Sequence, residues 1–240
     1  MALQPWRKGK VIDIKDYTHN TKRFWIKVEE LERFDFTPGQ FVTLDLPIHE
    51  KPNKRWRSYS IASWPDGSNV FELLIVLAEG GLGTAFLFNE VKVGSELTLR
   101  GAQGVFTLPD EMTNDVFLIC TGTGIAPFRS MVNYLHLHHA DLKNNIHLIF
   151  GCRKREDLLY YDELKKLQEQ LPGFNYLPTL SRERWEGHHG YVHSIYEDLC
   201  QDKRPAQFFL CGWKHMVDEA KKRIVEMGYD RKTIHQELYG

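Results

Sequence analysis

Over roughly its first 110 positions the chain breaks into short apolar stretches with polar residues set between them. "RFWIKV" (23–28), "QFVTLDL" (40–46), "SYSIAS" (58–63), "VFELLIVL" (70–77) and "SELTLR" (95–100) are rich in β-branched and aromatic residues. Pro38-Gly39, Pro65-Asp66-Gly67, Gly80-Gly81 and Gly94 separate them. Proline presets a turn dihedral and glycine tolerates positive φ, so these residues end strands. Evenly spaced short strands predict an antiparallel barrel. The pattern changes near Pro109. "VFLIC" (116–120) is an unbroken apolar run, as expected of a parallel strand buried on both faces. Phe128, Met131, Val132 and Leu135 then recur at helical spacing. "IHLIF" (146–150), "FNYLPTL" (174–180) and "FFLC" (208–211) read as further strands. Helical stretches lie between them near 160–170, 192–200 and 214–227. Alternating strand and helix predict a doubly wound parallel sheet.

Length and composition fit that division. A chain of 240 residues accommodates two domains of about 110–130 residues each. Hydrophobic residues make up 42% and charged residues 26%, an ordinary globular composition. A net charge of −1 argues against general nucleic-acid binding. The balance is uneven, since the first 60 residues carry 12 Lys and Arg against 8 Asp and Glu. No apolar run approaches the ~18 residues of a membrane span, so no membrane insertion is expected. The start MALQPWRKGK has no secretory h-region. Cys120, Cys152, Cys200 and Cys211 show neither CxxC nor metal-ligand spacing, which suits free thiols in a reducing cytoplasm. They also lack the close grouping of a ferredoxin-type cluster. His136, His138 and His139, and the pair His188-His189, have no Cys or carboxylate at ligand spacing. They read as solvated histidines, with no metal expected.

"CTGTGIAPFRSM" (120–131) places small residues between the end of a strand and the start of a helix. Gly122 and Gly124 let backbone approach an anion, and a helix N-terminus offers unpaired N–H groups and a positive dipole end. Pro127 suits the first helical position, where its missing N–H has no intrahelical partner. These residues alone fit a phosphate loop or merely a tight strand–helix turn.

Three stretches stand in one order: "RSYS" (57–60), "EGGLGTAFL" (79–87) and "TGTGIAP" (121–127). With "LCGWKHM" (210–216) and the tail "ELYG" (237–240), the chain resembles the ferredoxin–NADP(+) reductase superfamily along essentially its whole length. The resemblance implies two domains of β and α/β class. A six-stranded antiparallel FAD-binding β-barrel spans 1–110, and a doubly wound NAD(P)H-binding α/β domain spans 111–240. It implies that Arg57 binds the FAD pyrophosphate, Tyr59 packs on the isoalloxazine and Ser60 hydrogen-bonds near flavin N5, with Ser58 in the same motif. The chemistry suits the residues: an Arg fork matches phosphate oxygens, an aromatic ring stacks on a flat heterocycle, and a hydroxyl both donates and accepts. Gly81, Leu82, Gly83 and Thr84 resemble the family's second flavin motif. Ile61, Ala62, Ser63, Ile75 and Val76 would line the flavin and its ribityl chain through backbone atoms.

In the second half, Thr121, Gly122, Thr123 and Gly124 would receive the nucleotide. Cys211 and Gly212 would face the nicotinamide, although CGW departs from the family's commoner CGP. Glu237, Leu238 and Tyr239 match the Glu–apolar–Tyr ending of plant-type reductases, which makes Tyr239 a gate over the flavin. Ser60, Cys211, Glu237 and Tyr239 are thus the expected catalytic residues. Ser181, Arg182 and Tyr191 match residues that surround the 2′-phosphate of NADPH, and Arg153 is placed to reach it. The basic residue usual before that Tyr is replaced here by His188 and His189 nearby. The expected cofactors are FAD and NADPH, with NADH as the alternative.

The implied function is a ferredoxin- or flavodoxin–NADP(+) reductase, passing a hydride between nicotinamide C4 and flavin N5 and single electrons to a separate carrier. The cations Arg7, Lys8, Lys10, Lys51, Lys54, Arg55 and Arg57 would steer an acidic ferredoxin or flavodoxin. A monomer is expected. One alternative is an NADH-dependent reductase component of an oxygenase, or a reductase of free flavin or ferric chelate. Another is a flavin-binding electron-transfer subunit with no nicotinamide reaction of its own, which the TGTGIAP and CGW loops argue against.

Overall fold

Period-two alternation builds the first half of the chain. The computed structural model describes residues 4–109, 111–139 and 142–239. The chain divides into one unit through Thr107, with Arg129–Met131 counted in it, and a second over Leu108–Phe128 and Val132–Gly240. In the first, β1 (Trp6–Thr18), β2 (Thr21–Lys27), β3 (Phe41–Asp45), β4 (Trp56–Ser60), β5 (Val70–Val76) and β6 (Glu96–Gln103) form one sheet in the order β4-β3-β6-β1-β2-β5. All five neighbouring pairs run antiparallel. The sheet's two edges then meet. Ile61 bridges Leu73, and the Ala62 N–H donates to the Glu72 carbonyl at 2.8 Å. That closure removes the edges and makes the sheet a barrel. Val11, Phe24, Ile26, Val42, Leu44, Phe71, Leu73, Leu97 and Leu99 fill its interior. One helix, α1 (Leu82–Asn89), follows β5.

Within this sheet the longest strand, β1, is the one that the hydrophobic pattern did not reveal. Its sequence WRKGKVIDIKDYT is full of charges, and only Gly9 and Val11 are buried. Gly9 stands where a larger residue would not fit. A Cβ there would lie 2.5 Å from Leu99 Cδ2 and 2.6 Å from Ile26 Cγ2.

The second unit alternates strand and helix: β7 (Asp115–Thr121), α2 (Ile125–His138), β8 (Ile146–Cys152), α3 (Tyr161–Gln170), β9 (Phe174–Leu180), β10 (His188–His189), α4 (Val192–Leu199), β11 (Ala206–Trp213), α5 (Lys214–Glu226) and β12 (Ile234–Tyr239). The strands form a parallel sheet in the order β10-β9-β8-β7-β11-β12. The chain starts at β7, moves outward through β8 and β9, then returns to the other side of β7 with β11. Ligands of such sheets bind beyond the carboxyl ends of the strands where the order reverses, here β7, β8 and β11. The central strands are buried on both faces, as their apolar runs predicted. Phe117, Ile119, Phe208 and Leu210 pack against Ile195 and Tyr196 of α4 and Val217, Ala220 and Ile224 of α5. β10 and β12 escape sequence reading because both are edge strands, β10 only two residues long and β12 mixing polar with apolar side chains. Gly240, in the quoted tail, lies outside the described residues.

Candidate active site

In the first unit, alternation along β4 sorts the RSYS residues onto two faces. Arg57 and Tyr59 share one, and Ser58 and Ser60 point oppositely. Tyr59 packs on the barrel core. Burial pushes its phenol up to about 12, against a smaller opposite pull from the Arg57 charge, so the ring stays neutral. Arg57 is held by its own backbone surroundings, donating to the carbonyls of Lys54 at 3.0 Å and Trp56 at 2.8 Å. Its stem lies on Gly83, where a Cβ would come within 2.9 Å of Arg57 Cγ. The structure therefore brings RSYS and the Gly81–Thr84 turn together, although 20 residues or more separate them in sequence. Thr84 Oγ1 accepts from the Ala78 N–H and donates to the Gly81 carbonyl, both at 3.1 Å, and so locks the turn. The turn caps α1, whose first N–H groups have no intrahelical partner. A guanidinium beside a helix N-terminus is a donor set that fits a diphosphate.

The other residues expected around a flavin are placed less uniformly. Ser60, Ile61 and Ala62 are buried at the barrel closure. Ser63 Oγ accepts from the Glu72 N–H at 2.9 Å. The Ile75 side chain lies in the barrel core while Val76 is half-buried, so Ile75 has only its backbone to offer a ligand. Ser58 is engaged elsewhere, with its hydroxyl 3.1 Å from Thr43 Oγ1. Leu82 is exposed.

In the second unit, the loops after β7 and β11 interlock through glycine. A Cβ on Gly124 would lie 2.4 Å from the Cys211 carbonyl oxygen, and one on Gly212 would lie 2.7 Å from Thr121 Oγ1. Gly122 takes φ +54 and Gly212 φ +135, conformations that side chains disfavour. Thr123 is buried in the same turn. Register sets Cys211 opposite Cys120 on β7 and opposite Glu237 on β12, with Trp213 opposite Tyr239. Three residues expected to be catalytic, Cys211, Glu237 and Tyr239, therefore meet at one end of the sheet. Cys211 is fully buried. Burial pushes its thiol well up, Glu237 and Cys120 add to this, and the Tyr239 hydroxyl beside the sulfur pulls the other way. It is a neutral thiol at physiological pH. Thr121 Oγ1 is buried without a hydrogen-bond partner among the described residues. An orphaned hydroxyl in a glycine loop at the carboxyl edge fits an oxygen-rich ligand.

A second backbone ladder continues past β8 and β9. The Ser181 N–H donates to the Cys152 carbonyl at 3.0 Å, the Arg182 N–H to the Arg153 carbonyl at 2.9 Å, and Ser181 Oγ to Cys152 at 3.2 Å. Arg153, Ser181 and Arg182 are thereby side by side. Gly190 bonds back to Leu180 at 2.9 Å, which brings the exposed Tyr191 to the same edge. Neighbouring cations are already paired: Lys154 with Glu156 at 3.3 Å and Arg155 with Glu186 at 3.4 Å. Arg153 and Arg182 have no carboxylate partner among the described residues.

The expected cationic surface is reduced by pairing. Arg7 lies 3.4 Å from Glu30, Lys8 3.0 Å from Glu96, Lys10 3.9 Å from Glu29 and Arg55 2.8 Å from Asp45. Lys51 and Lys54 remain exposed and without such partners among the described residues. The pairing acids lie elsewhere in the chain, so no local charge pattern could have shown it. Among the described residues no three His, Cys, Asp or Glu side chains group as a metal site, and no helix is long and apolar enough to cross a membrane.

Comparison with known proteins places this geometry. The family model for an oxidoreductase FAD-binding domain matches residues 8–108, and that for an oxidoreductase NAD-binding domain matches 118–222. A ferredoxin--NADP reductase B of Sorangium cellulosum is 35% identical over 215 residues, covering 86% of each chain. The chain belongs to the ferredoxin–NADP(+) reductase superfamily. It is an FAD- and NAD(P)-binding oxidoreductase with that superfamily's two-part fold. Within it, a glycine betaine monooxygenase reductase subunit of Pseudomonas aeruginosa is 28% identical, aligned to 100% of this chain and 67% of its own length. The crystal structure of a ferredoxin NADP+ reductase from Neisseria gonorrhoeae with bound FAD and NADP is 25% identical. It superposes with a TM-score of 0.78, covering 97% of this chain and 98% of its own.

Proposed function

We propose that this superfamily member is a ferredoxin- or flavodoxin–NADP(+) reductase, with NADPH as its nicotinamide partner and a separate acidic protein as its one-electron partner. In this reading residues 1–110 bind FAD and residues 111–240 bind the nucleotide. The observation that carries the NADPH preference is the ladder joining Arg153 to Ser181 and Arg182, with two guanidiniums free of carboxylates. A ribose 2′-phosphate calls for that donor set. The Sorangium relative named as a ferredoxin--NADP reductase supports the same reading.

When bound, FAD supplies the ability to take electrons as a hydride and release them singly. The chain's own residues bind and orient. Arg57 and the N–H groups of the Gly81–Thr84 turn clamp the FAD diphosphate, and Tyr59 offers a neutral ring to the flavin. Ser60 offers a hydroxyl near the reacting nitrogen. Thr121–Gly124 receive the nucleotide's pyrophosphate. Cys211 would face the nicotinamide as an uncharged thiol, beside Glu237 and Tyr239 at the same end of the sheet.

A second reading, an NADH-dependent reductase component of an oxygenase, draws on two observations: the Pseudomonas relative named as a monooxygenase reductase subunit, and the internal pairing of most of the expected cationic surface. Anaerobic titration of the yellow protein separates the two. Faster bleaching by NADPH supports the first reading, and faster bleaching by NADH supports the second. A flavin that neither nucleotide reduces defeats both.

A further inference from the structure

The residue after Cys211-Gly212 is a tryptophan where the family's commoner motif has proline, and its surroundings give it a task. Trp213 is the last residue of β11 and caps α5. It is 58% exposed, so core packing does not account for an indole there. Its nitrogen lies over the glycine loop. The open side of Gly122 has one neighbour within 4 Å of a notional Cβ, Trp213 Nε1 at 3.8 Å. The other glycines of this junction, Gly124 and Gly212, are filled on that side by backbone or by Thr121. The indole N–H donates to no acceptor among the described residues. Across the loop, Thr121 Oγ1 is buried and also unpartnered.

Two unpaired polar groups thus flank the stretch Thr121–Gly124, where backbone N–H groups open α2. Indole is a donor only and a hydroxyl donates readily, so what suits both is an acceptor-rich group close to Gly122. We propose that Trp213 is a positioning residue that donates its Nε1–H to the pyrophosphate of the bound nicotinamide dinucleotide while its ring screens that bond from water. The inference rests on the reading that Thr121–Gly124 receives the nucleotide. It goes beyond that reading by assigning a residue that sets affinity for the part NADH and NADPH share. Discrimination between the two stays with Arg153 and Arg182.

The test titrates oxidised, FAD-loaded protein with NADP+ and with NAD+, following tryptophan fluorescence and the flavin difference spectrum. Trp213→Phe keeps a ring and removes the donor. Its Kd for both nucleotides should rise about tenfold, as for one hydrogen bond to a charged acceptor. Turnover at saturating nucleotide should stay within about twofold of wild type. Trp213→His, which restores a ring N–H, should recover part of the affinity. Arg182→Ala should weaken NADP+ alone. Unchanged FAD content and near-ultraviolet dichroism confirm that each variant is folded. Trp213→Phe binding like wild type, losing only NADP+, or losing turnover with unchanged affinity would each overturn the assignment. Wild-type protein that binds neither nucleotide would instead remove the reading of the loop, and this inference with it.

Discussion

Gly124 and Gly122, two residues apart, are glycine for different physical reasons. Gly124 has an ordinary helical φ of −60, and any residue could adopt its backbone. What forbids a side chain is space, since the Cys211 carbonyl would be 2.4 Å from the new Cβ. Gly122 has room but sits at φ +54. Gly124→Ala must push the β7 and β11 loops apart, which should cost about 1–3 kcal/mol or more. Gly122→Ala faces a left-handed penalty of roughly 1–2 kcal/mol. Urea unfolding of the two variants checks the order, and Gly124→Ala should also bind nucleotide more weakly because the loop has moved. A Gly124→Ala variant as stable as wild type would show that the interlock yields without cost.

At the scale of elements, α4 and α5 are joined by a polar cluster that the mechanism does not use. His193 on α4 is buried, with Nδ1 2.9 Å from the Tyr196 hydroxyl and Nε2 3.4 Å from Glu219 of α5. Arg223 of α5 reaches Glu197 at 2.9 Å and Glu219 at 2.7 Å. Burial lowers the His193 pKa below its ordinary 6.5. Glu219 pulls it up and Arg223 pulls it down, both by less. The unfolded chain therefore binds a proton more readily than the folded one between the folded value and 6.5. The contribution of neutral His193 is fully present above 6.5 and declines as pH falls through that window. Denaturation midpoints between pH 7 and pH 5 should fall, and His193→Gln should make the fall shallower. It will not abolish it, because buried His147 is shifted in the same direction by burial. A variant with the wild-type slope would show that the cluster titrates as exposed groups do.

At the scale of the whole molecule, charge pairing limits how strongly a partner can be steered. Most of the expected cationic run is tied to nearby carboxylates, and exposed pairs of this kind contribute little beyond cancelling each other's field. Lys51, Lys54 and the half-buried Arg57 carry what remains among the described residues. Under the proposed function, Lys51→Glu with Lys54→Glu should slow reduction of an acidic ferredoxin several-fold at low ionic strength, and the difference should shrink as salt screens it. Flavin reduction by the nicotinamide nucleotide should be unchanged. A rate with acceptor that ignores both the variant and the salt would place the docking surface elsewhere.

The sequence by itself determined the class of each half, through two periodicities: alternation with turn residues for the barrel, unbroken apolar runs with helical spacing for the parallel sheet. It also marked Arg57, Tyr59, the Gly81–Thr84 turn, the Thr121–Gly124 loop and the tail, because glycine pairs and a conspicuous order of motifs are local features. Strands β1, β10 and β12 were not legible. Each is paired through its backbone, and backbone pairing leaves no mark when few of the side chains are buried. Only the tertiary structure decided which motifs meet. Arg57 lies on Gly83, Cys211 opposite Glu237, and Trp213 over Gly122, because strand register and close approach, not sequence distance, set those contacts. It likewise decided which charges remain available, since the partners of Arg7, Lys8 and Lys10 lie on β6 or just after β2, brought near by the pairing of those strands with β1.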